Sequence, residues 1–231
     1  MDIKTLYKTL NTDFIKCNRV VANQLGINAS IILGELINES RYFGSRKMIS
    51  NGYFFSTIEN IETNTTLKRT KQENAIRRLI DNKYINYKLL GKPPRRRFKV
   101  LPKAFTIDQS FEVLNRNLAK YLGINKALIL SVMIRAYYKF LMNDYEISED
   151  FNDIMAYPDS DYYYISVRAL QNQTGLNKRQ QNKEISELVN MGIIYRFNSK
   201  YTDEISVNEG RYFTLDEDII TQLFIKCDLL Q

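Results

Sequence analysis

The sequence predicts an α+β chain, mainly α, formed by tandem duplication of two helix-turn-helix domains that each end in a β-hairpin. Three observations carry this. Blocks of residues recur in the same order in both halves, each half holds two short helical patterns around a tight turn, and two short strand patterns follow. At 231 residues, 44% hydrophobic and 26% charged, the chain has room for two domains of roughly 100–150 residues each.

The duplication is read directly. Phe14–Leu33 and Phe111–Leu130 align without gaps and match at ten of twenty positions, among them Asn18/Asn115, Arg19/Arg116, Gly26/Gly123 and Asn28/Asn125. The relation resumes further on, where Thr65/Thr174, Leu67/Leu176, Gln72/Gln181, Ile76/Ile185, Leu79/Leu188 and Ile85/Ile194 are identical. Arg97-Phe98 is then set against Arg211-Tyr212. Colinear blocks mean one module used twice. The boundary falls near Thr106–Ser110, giving a domain over 1–105 and a second over 106–231.

Each repeat opens with a helix, Ala29–Tyr42 and Lys126–Leu141, whose apolar residues recur at i, i+3 and i+4 after a Gly-Ile-Asn start. A short aromatic strand follows, Tyr53–Phe55 and Tyr162–Ile165. Ser56 or Thr57 caps the next helix, which runs through Ile58 and Ile61. The chain turns at Thr63–Leu67, and a second helix covers Arg69–Asn82 with Gln72, Ile76 and Leu79 inward. In the second half the turn is Thr174-Gly175-Leu176, with Asn177 as the cap. Strands at Tyr84–Leu89 and Arg97–Leu101 are joined by GKPPRR; Ile193–Phe197 and Arg211–Leu215 are joined by the longer Asn198–Gly210. A helix-turn-helix followed by a β-hairpin is a winged helix.

These strings carry a resemblance. S-T-I-x-x-I, a T-x-L turn, K-R-T-x-Q-x-x-A-I-x-x-L, K-Y-I and a G-K-P-P wing ending R-R-F-K-V resemble the winged-helix domain of replication proteins from phages and plasmids of low-GC Gram-positive bacteria. Replication initiators and DnaD-like replisome organisers belong to that group. The tandem arrangement is similar to the two-winged-helix initiators that bind repeated plasmid sites. The resemblance implies sequence-specific binding of double-stranded DNA. The chain has no obvious C-terminal helicase-loading region, a departure from the organisers.

Charge agrees with a polyanionic partner. The net charge is +7, but residues 1–105 carry 20 Lys and Arg against 8 Asp and Glu, while residues 106–231 carry 13 against 18. A basic half joined to a mildly acidic one suggests that the first faces nucleic acid. Histidine is absent, which excludes a histidine base or a His-ligated zinc. The cysteines Cys17 and Cys227 read as reduced core thiols rather than a disulfide or metal site. No phosphate-binding glycine loop is present. The 16 tyrosines read as strand and core residues rather than as a DNA-nicking nucleophile. The expectation is a non-catalytic protein with no cofactor and no metal. No run reaches about 18 apolar residues, and the N-terminus lacks a signal-peptide core, so the expectation is a cytoplasmic protein without membrane contact.

The candidate DNA contacts follow from the layout. Lys68, Arg69, Thr70, Lys71, Asn74, Arg77 and Arg78 lie off the apolar stripe of the second helix. Arg69, Thr70 and Asn74 are expected to read bases, with Lys71 and Arg78 nearer phosphates. The alternative is a merely solvated basic face. In the wing, Lys92, Arg95 and Arg96 follow the same logic, and Arg97 is either a wing contact or a strand residue. Asn177, Lys178, Arg179 and Lys183 are the second-half candidates, although Glu184 and Glu187 replace Ala75 and Arg78. The second half therefore either reads DNA or meets a protein. Its Asp144–Asp161 insertion holds seven acidic residues and no basic ones, and it either points away from a duplex or meets a partner. The functional expectation is a replication initiator of a phage, plasmid or other mobile element, with copies packing on repeated sites and recruiting host replication proteins. The alternatives are a transcriptional regulator using the same contacts, or a protein-interaction module inhibiting a host nucleoprotein complex.

Overall fold

Asn18 and Asn115 occupy equivalent points of the repeat, and each ends a strand and starts a helix. In the computed structural model, which describes residues 1–92, 94–107, 110–141, 162–199 and 210–230, Asn18 closes β1 (Phe14–Asn18) and caps α2 (Arg19–Leu25) by accepting from the Val21 amide at 3.0 Å. Asn115 closes β5 (Phe111–Asn115) and caps α7 (Arg116–Leu122) by accepting from Asn117 and Leu118. A short polar side chain at this point satisfies amides that a helix start leaves open. Gly26 and Gly123 then stop these helices with φ of 91° and 85°, and the chain re-enters helix as α3 (Ile27–Ser45) and α8 (Ile124–Leu141). The Gly-Ile-Asn signal thus marks a break between two helices. Strands β1 and β5 and helices α2 and α7 were not among the elements expected from sequence.

The molecule is α+β and mainly helical, with small sheets. From the first long helix onward, the first half runs through β2 (Phe54–Phe55), α4 (Ile58–Thr65), α5 (Arg69–Asp81), β3 (Ile85–Leu90) and β4 (Arg95–Val100). The second half runs through β6 (Tyr163–Tyr164), α9 (Val167–Thr174), α10 (Lys178–Asn190), β7 (Ile194–Ser199) and β8 (Gly210–Leu215). Sheet order is β2-β4-β3 in one and β6-β8-β7 in the other. Phe54 pairs with Phe98 and Tyr163 with Phe213, all four fully buried. This register corrects the sequence alignment by one residue: Phe98 corresponds to Phe213, so Arg96, rather than Arg97, is the counterpart of Arg211. Strand alternation is the reason, because a one-residue slip turns every side chain to the opposite face.

The two halves interlock. β1 and β5 pair antiparallel about Lys16 and Val113, and the Arg19 amide donates to the Ser110 carbonyl as the Arg116 amide donates to that of Asp13. The pairing has a local two-fold character. Helix α2 packs on α9 of the other half, and α7 packs on α4. Helix α1 (Ile3–Leu10), capped by Asp2, lies on α8 with the Tyr7 ring stacked on Tyr138 at 4.8 Å. α6 (Lys103–Thr106) lies at the expected domain boundary, and α11 (Glu217–Lys226) packs near α1. Charges bury along the seam: Arg116 meets Glu35 at 2.6 Å and Asp13 at 2.9 Å, and Glu112 takes both Arg19 and Arg135. α3 presses onto β1 so closely that a Cβ on Gly34 would sit 2.3 Å from the Lys16 carbonyl oxygen.

Both cysteines are buried thiols, and burial raises the pKa of each; Cys227 is pushed up to about 11. Among the described residues no helix is long and apolar enough to cross a membrane. The Asp144–Asp161 insertion, Pro93, and the second-half loop acids Asp203, Glu204 and Glu209 lie outside the described residues.

Candidate nucleic-acid interface

The turn between α4 and α5 is built by two side chains. Thr65 donates to the Ile61 carbonyl at 2.5 Å and accepts from the Leu67 amide at 3.2 Å. Gln72, fully buried, donates to the Ile58 and Leu67 carbonyls at 3.0 and 2.7 Å. The second half repeats this with Thr174 and with Gln181, which donates to Val167 and Leu176. Arg96 from β4 then donates to the Gln72 side-chain oxygen at 3.1 Å, as Arg211 does to Gln181 at 3.0 Å. The buried amide is thereby satisfied at both ends, which a buried polar group requires. The identities Thr65/Thr174, Leu67/Leu176 and Gln72/Gln181 are legible in the sequence as a repeat. Their role as a clamp on the angle between two helices needs the structure.

With that clamp in place, α5 buries Gln72, Ala75, Ile76 and Leu79. At 3.6 residues per turn, the opposite face carries Thr70, Asn74, Arg77 and Asp81, all exposed. Thr70, Asn74 and Arg77 make no side-chain hydrogen bond or ion pair among the described residues, and Lys68 and Lys71 beside them are also exposed and unpaired there.

Two of the expected α5 contacts are engaged elsewhere. Arg69 turns toward the hairpin side and pairs with Glu73 at 2.7 Å, both ends exposed; this pair holds the Glu73 carboxyl below its ordinary range. Arg78 reaches sideways and donates to the Leu25 carbonyl at the end of α2, 2.7 Å away. Its expected place near phosphates is thus taken by a bond that ties α5 to α2. Arg77 shares the outward face with Thr70 and Asn74, while Arg69, expected with them to read bases, is exposed but held by Glu73.

The hairpin also differs from expectation. Arg95 and Arg96 lie on strand β4 rather than in the connecting loop, paired with Leu90 and Leu89. Arg95 is exposed, with its guanidinium 5.6 Å from the Phe55 ring centre. Arg96 is half-buried, lies over Phe98, and has its pKa lowered by burial. Of the wing candidates, Lys92 at the turn and Arg95 are the exposed ones. Between α5 and the hairpin runs an open groove of about 700 Å³, lined by Ile76, Ile80, Tyr87, Leu89, Arg77 and Arg95, among others.

In the second half Asn177 caps α10 in a reciprocal box with Gln180, so its side chain is committed to the helix start. Lys178, Arg179 and Lys183 are exposed. The two α10 acids, Glu184 and Glu187, are largely engaged inside the half. Glu187 pairs with Lys126 of α8 and sits 4.0 Å from Lys183, and Glu184 is buried beside Asn125 and Lys126. The Lys126 ammonium keeps the Glu187 carboxyl below its usual range. Helix α10 therefore presents Arg179 and Lys183 at the positions equivalent to Thr70 and Asn74.

The arrangement provides exposed donors on the α5 face beside a basic hairpin, and exposed donors on α10 beside a hairpin that lacks most of those cations. No family model, curated protein or solved structure matches the chain.

Proposed function

We propose that this chain is a non-catalytic, sequence-specific double-stranded DNA-binding protein built on two tandem winged helices, and that it serves as the replication initiator of a mobile element. The observation that carries the reading is the outward face of α5. Thr70, Asn74 and Arg77 are exposed and unpaired among the described residues, while Gln72 and Thr65 lock the helix behind them. Asn fits the adenine edge and Arg the guanine edge, and Lys68, Lys71 and Lys92 supply charge for the flanking phosphates. The basic balance of residues 1–105 supports the same partner. The replication role rests on the motif resemblance.

The seam supports a statement about the site. Equivalent strands that pair antiparallel relate α5 and α10 by an approximate two-fold. The DNA site then has two half-sites of opposite polarity. Because α10 offers Arg179 and Lys183 where α5 offers Thr70 and Asn74, the half-sites differ in sequence.

The test is a binding selection on sheared DNA from the chain's own replicon at about 150 mM salt. A cluster of repeated sites beside a replication locus is the expected result. A lone site overlapping a promoter would make the protein a regulator, and no enrichment would end the reading.

A further inference from the structure

A second basic surface lies on the hairpin sheet of the first half and meets the α5 groove only at Phe55 and Arg95. Strand alternation sends Phe54, Ile85 and Phe98 inward and turns Tyr53, Phe55, Lys88, Arg97 and Lys99 to the outer face of the β2-β4-β3 sheet, together with Arg95. The cations are placed by aromatic rings rather than by acids. Lys88 and Lys99 lie 4.5 and 6.0 Å from the Tyr53 ring centre, and Arg95 and Arg97 lie 5.6 and 5.9 Å from that of Phe55. Among the described residues none of the four makes an ion pair. No acid of the described fold pairs with this row, and the Arg97 Nε, buried against the sheet, is without a hydrogen bond there.

The second half supplies an internal control. Lys88 sits directly across from Arg97 in the β3–β4 ladder, a like-charge pair that costs sheet stability. At the equivalent register the second half pairs Phe197 with Tyr212, and Thr214 stands where the first half has Lys99. The same sheet thus folds with uncharged side chains at these three positions. The first half carries repelling cations that its fold does not require.

We propose that this outer sheet face binds the phosphodiester backbone of a single DNA strand running along β4. Arg95, Arg97 and Lys99 repeat every second residue in one row, about 6.7 Å apart along the strand, a spacing comparable with that of neighbouring phosphates. Leu90, 51% exposed, lies on the same face, on β3 across β4 from Tyr53 and Phe55. An apolar and aromatic margin along a cation row suits unpaired bases, which a duplex keeps inside its stack. Phe55 and Arg95 also line the groove beside α5, whereas Tyr53, Lys88, Arg97 and Lys99 do not, so the row extends beyond the surface that α5 is proposed to present to a duplex, and the inference does not rest on that reading.

The test is fluorescence anisotropy with a labelled oligo(dT) of about 20 nucleotides at about 50 mM salt. The full chain is compared with the triple variant Lys88→Phe, Arg97→Tyr and Lys99→Thr, which installs the second half's own residues. The expected result is a Tm at or above that of the unmodified chain, because the repelling pair is gone, an affinity at least tenfold weaker, and a salt slope shallower by about 2. Should the triple variant fold poorly, the double variant Lys88→Gln and Lys99→Gln reads the same loss on a smaller scale. Unchanged oligo(dT) affinity in a folded variant would overturn the proposal. So would an equal loss in Asn74→Ala plus Arg77→Ala, which would place the strand on α5. Failure of the duplex selection leaves this test standing, because oligo(dT) offers α5 no groove.

Discussion

Arg116 of the second half reaches across the seam to Glu35 of the first at 2.6 Å, with the Glu35 side chain only 3% exposed. The same guanidinium donates to the Asn64 carbonyl at the end of α4 and pairs with Asp13. One side chain therefore ties α7 to α3, α4 and the turn before β1. Removing Arg116 leaves the buried Glu35 carboxylate with the Asn64 side-chain amide and no cation in contact, whereas removing Glu35 leaves Arg116 its pair with Asp13.

Arg116→Ala is expected to cost about 3–5 kcal/mol, and Glu35→Ala less, because Asp13 still meets the guanidinium. Because the seam joins both halves, denaturation followed by far-UV dichroism and by tyrosine fluorescence should show one coincident transition. Two separated transitions in the unmodified chain would contradict the interlocked fold.

On the proposed reading, variants of α5 separate DNA recognition from stability. Asn74→Ala and Arg77→Ala should each weaken specific DNA binding by about 1–3 kcal/mol with no change in Tm. Arg78→Ala removes the bond to the Leu25 carbonyl and should lower stability by about 1 kcal/mol. Anisotropy with the selected site and thermal melts on the same three variants check both halves of this statement.

Gly175 and Thr66 end equivalent helices with the same left-handed backbone, φ 71° and 61°. A Cβ on Gly175 would lie 2.7 Å from the Ala22 carbonyl oxygen of α2, so Gly175→Ala combines backbone strain with a clash and should cost about 1–3 kcal/mol. Thr66→Gly relieves the unfavourable φ and should gain up to about 1 kcal/mol. Urea titrations of the two variants should move in opposite directions.

Burial pushes the Glu39 carboxyl up to about 7, against the Ser56 hydroxyl hydrogen bond that favours its charged form; Glu35 adds to the rise, and Arg116 and Arg96 oppose it. The folded state then holds a proton that the unfolded chain has released above its ordinary carboxylate pKa, 4.5. Stability from this group is complete below about 4.5 and is lost as pH rises through about 7, at no more than about 1.4 kcal/mol per pH unit. Glu39→Gln should remove that decline, and stability measured across this range in both proteins tests it.

The α+β, mainly helical character and the turns of α4–α5 and α9–α10 could be read from the chain because their causes are local. An apolar stripe, a cap such as Thr57 or Asn177, and a breaker such as Gly175 act within about four residues. β1 and β5 escaped that reading for the same reason. Five residues have no sheet of their own to join, and each finds its partner about a hundred positions away.

The candidate contacts divide along the same line. That Lys68–Arg78 would form a helix with polar residues off one stripe followed from periodicity alone. Which of those residues stay available depended on neighbours distant in sequence: the end of α2 takes Arg78, and the buried Gln72 takes Arg96. The register of β4 against β2 turned Arg96 inward while Arg95 and Arg97 stayed out. Periodicity assigns a residue to a face of its own element, because dihedral preference and side-chain spacing act along the chain. The assignment of each charge to an internal partner or to solvent required the packed fold, because burial and ion pairing act through space.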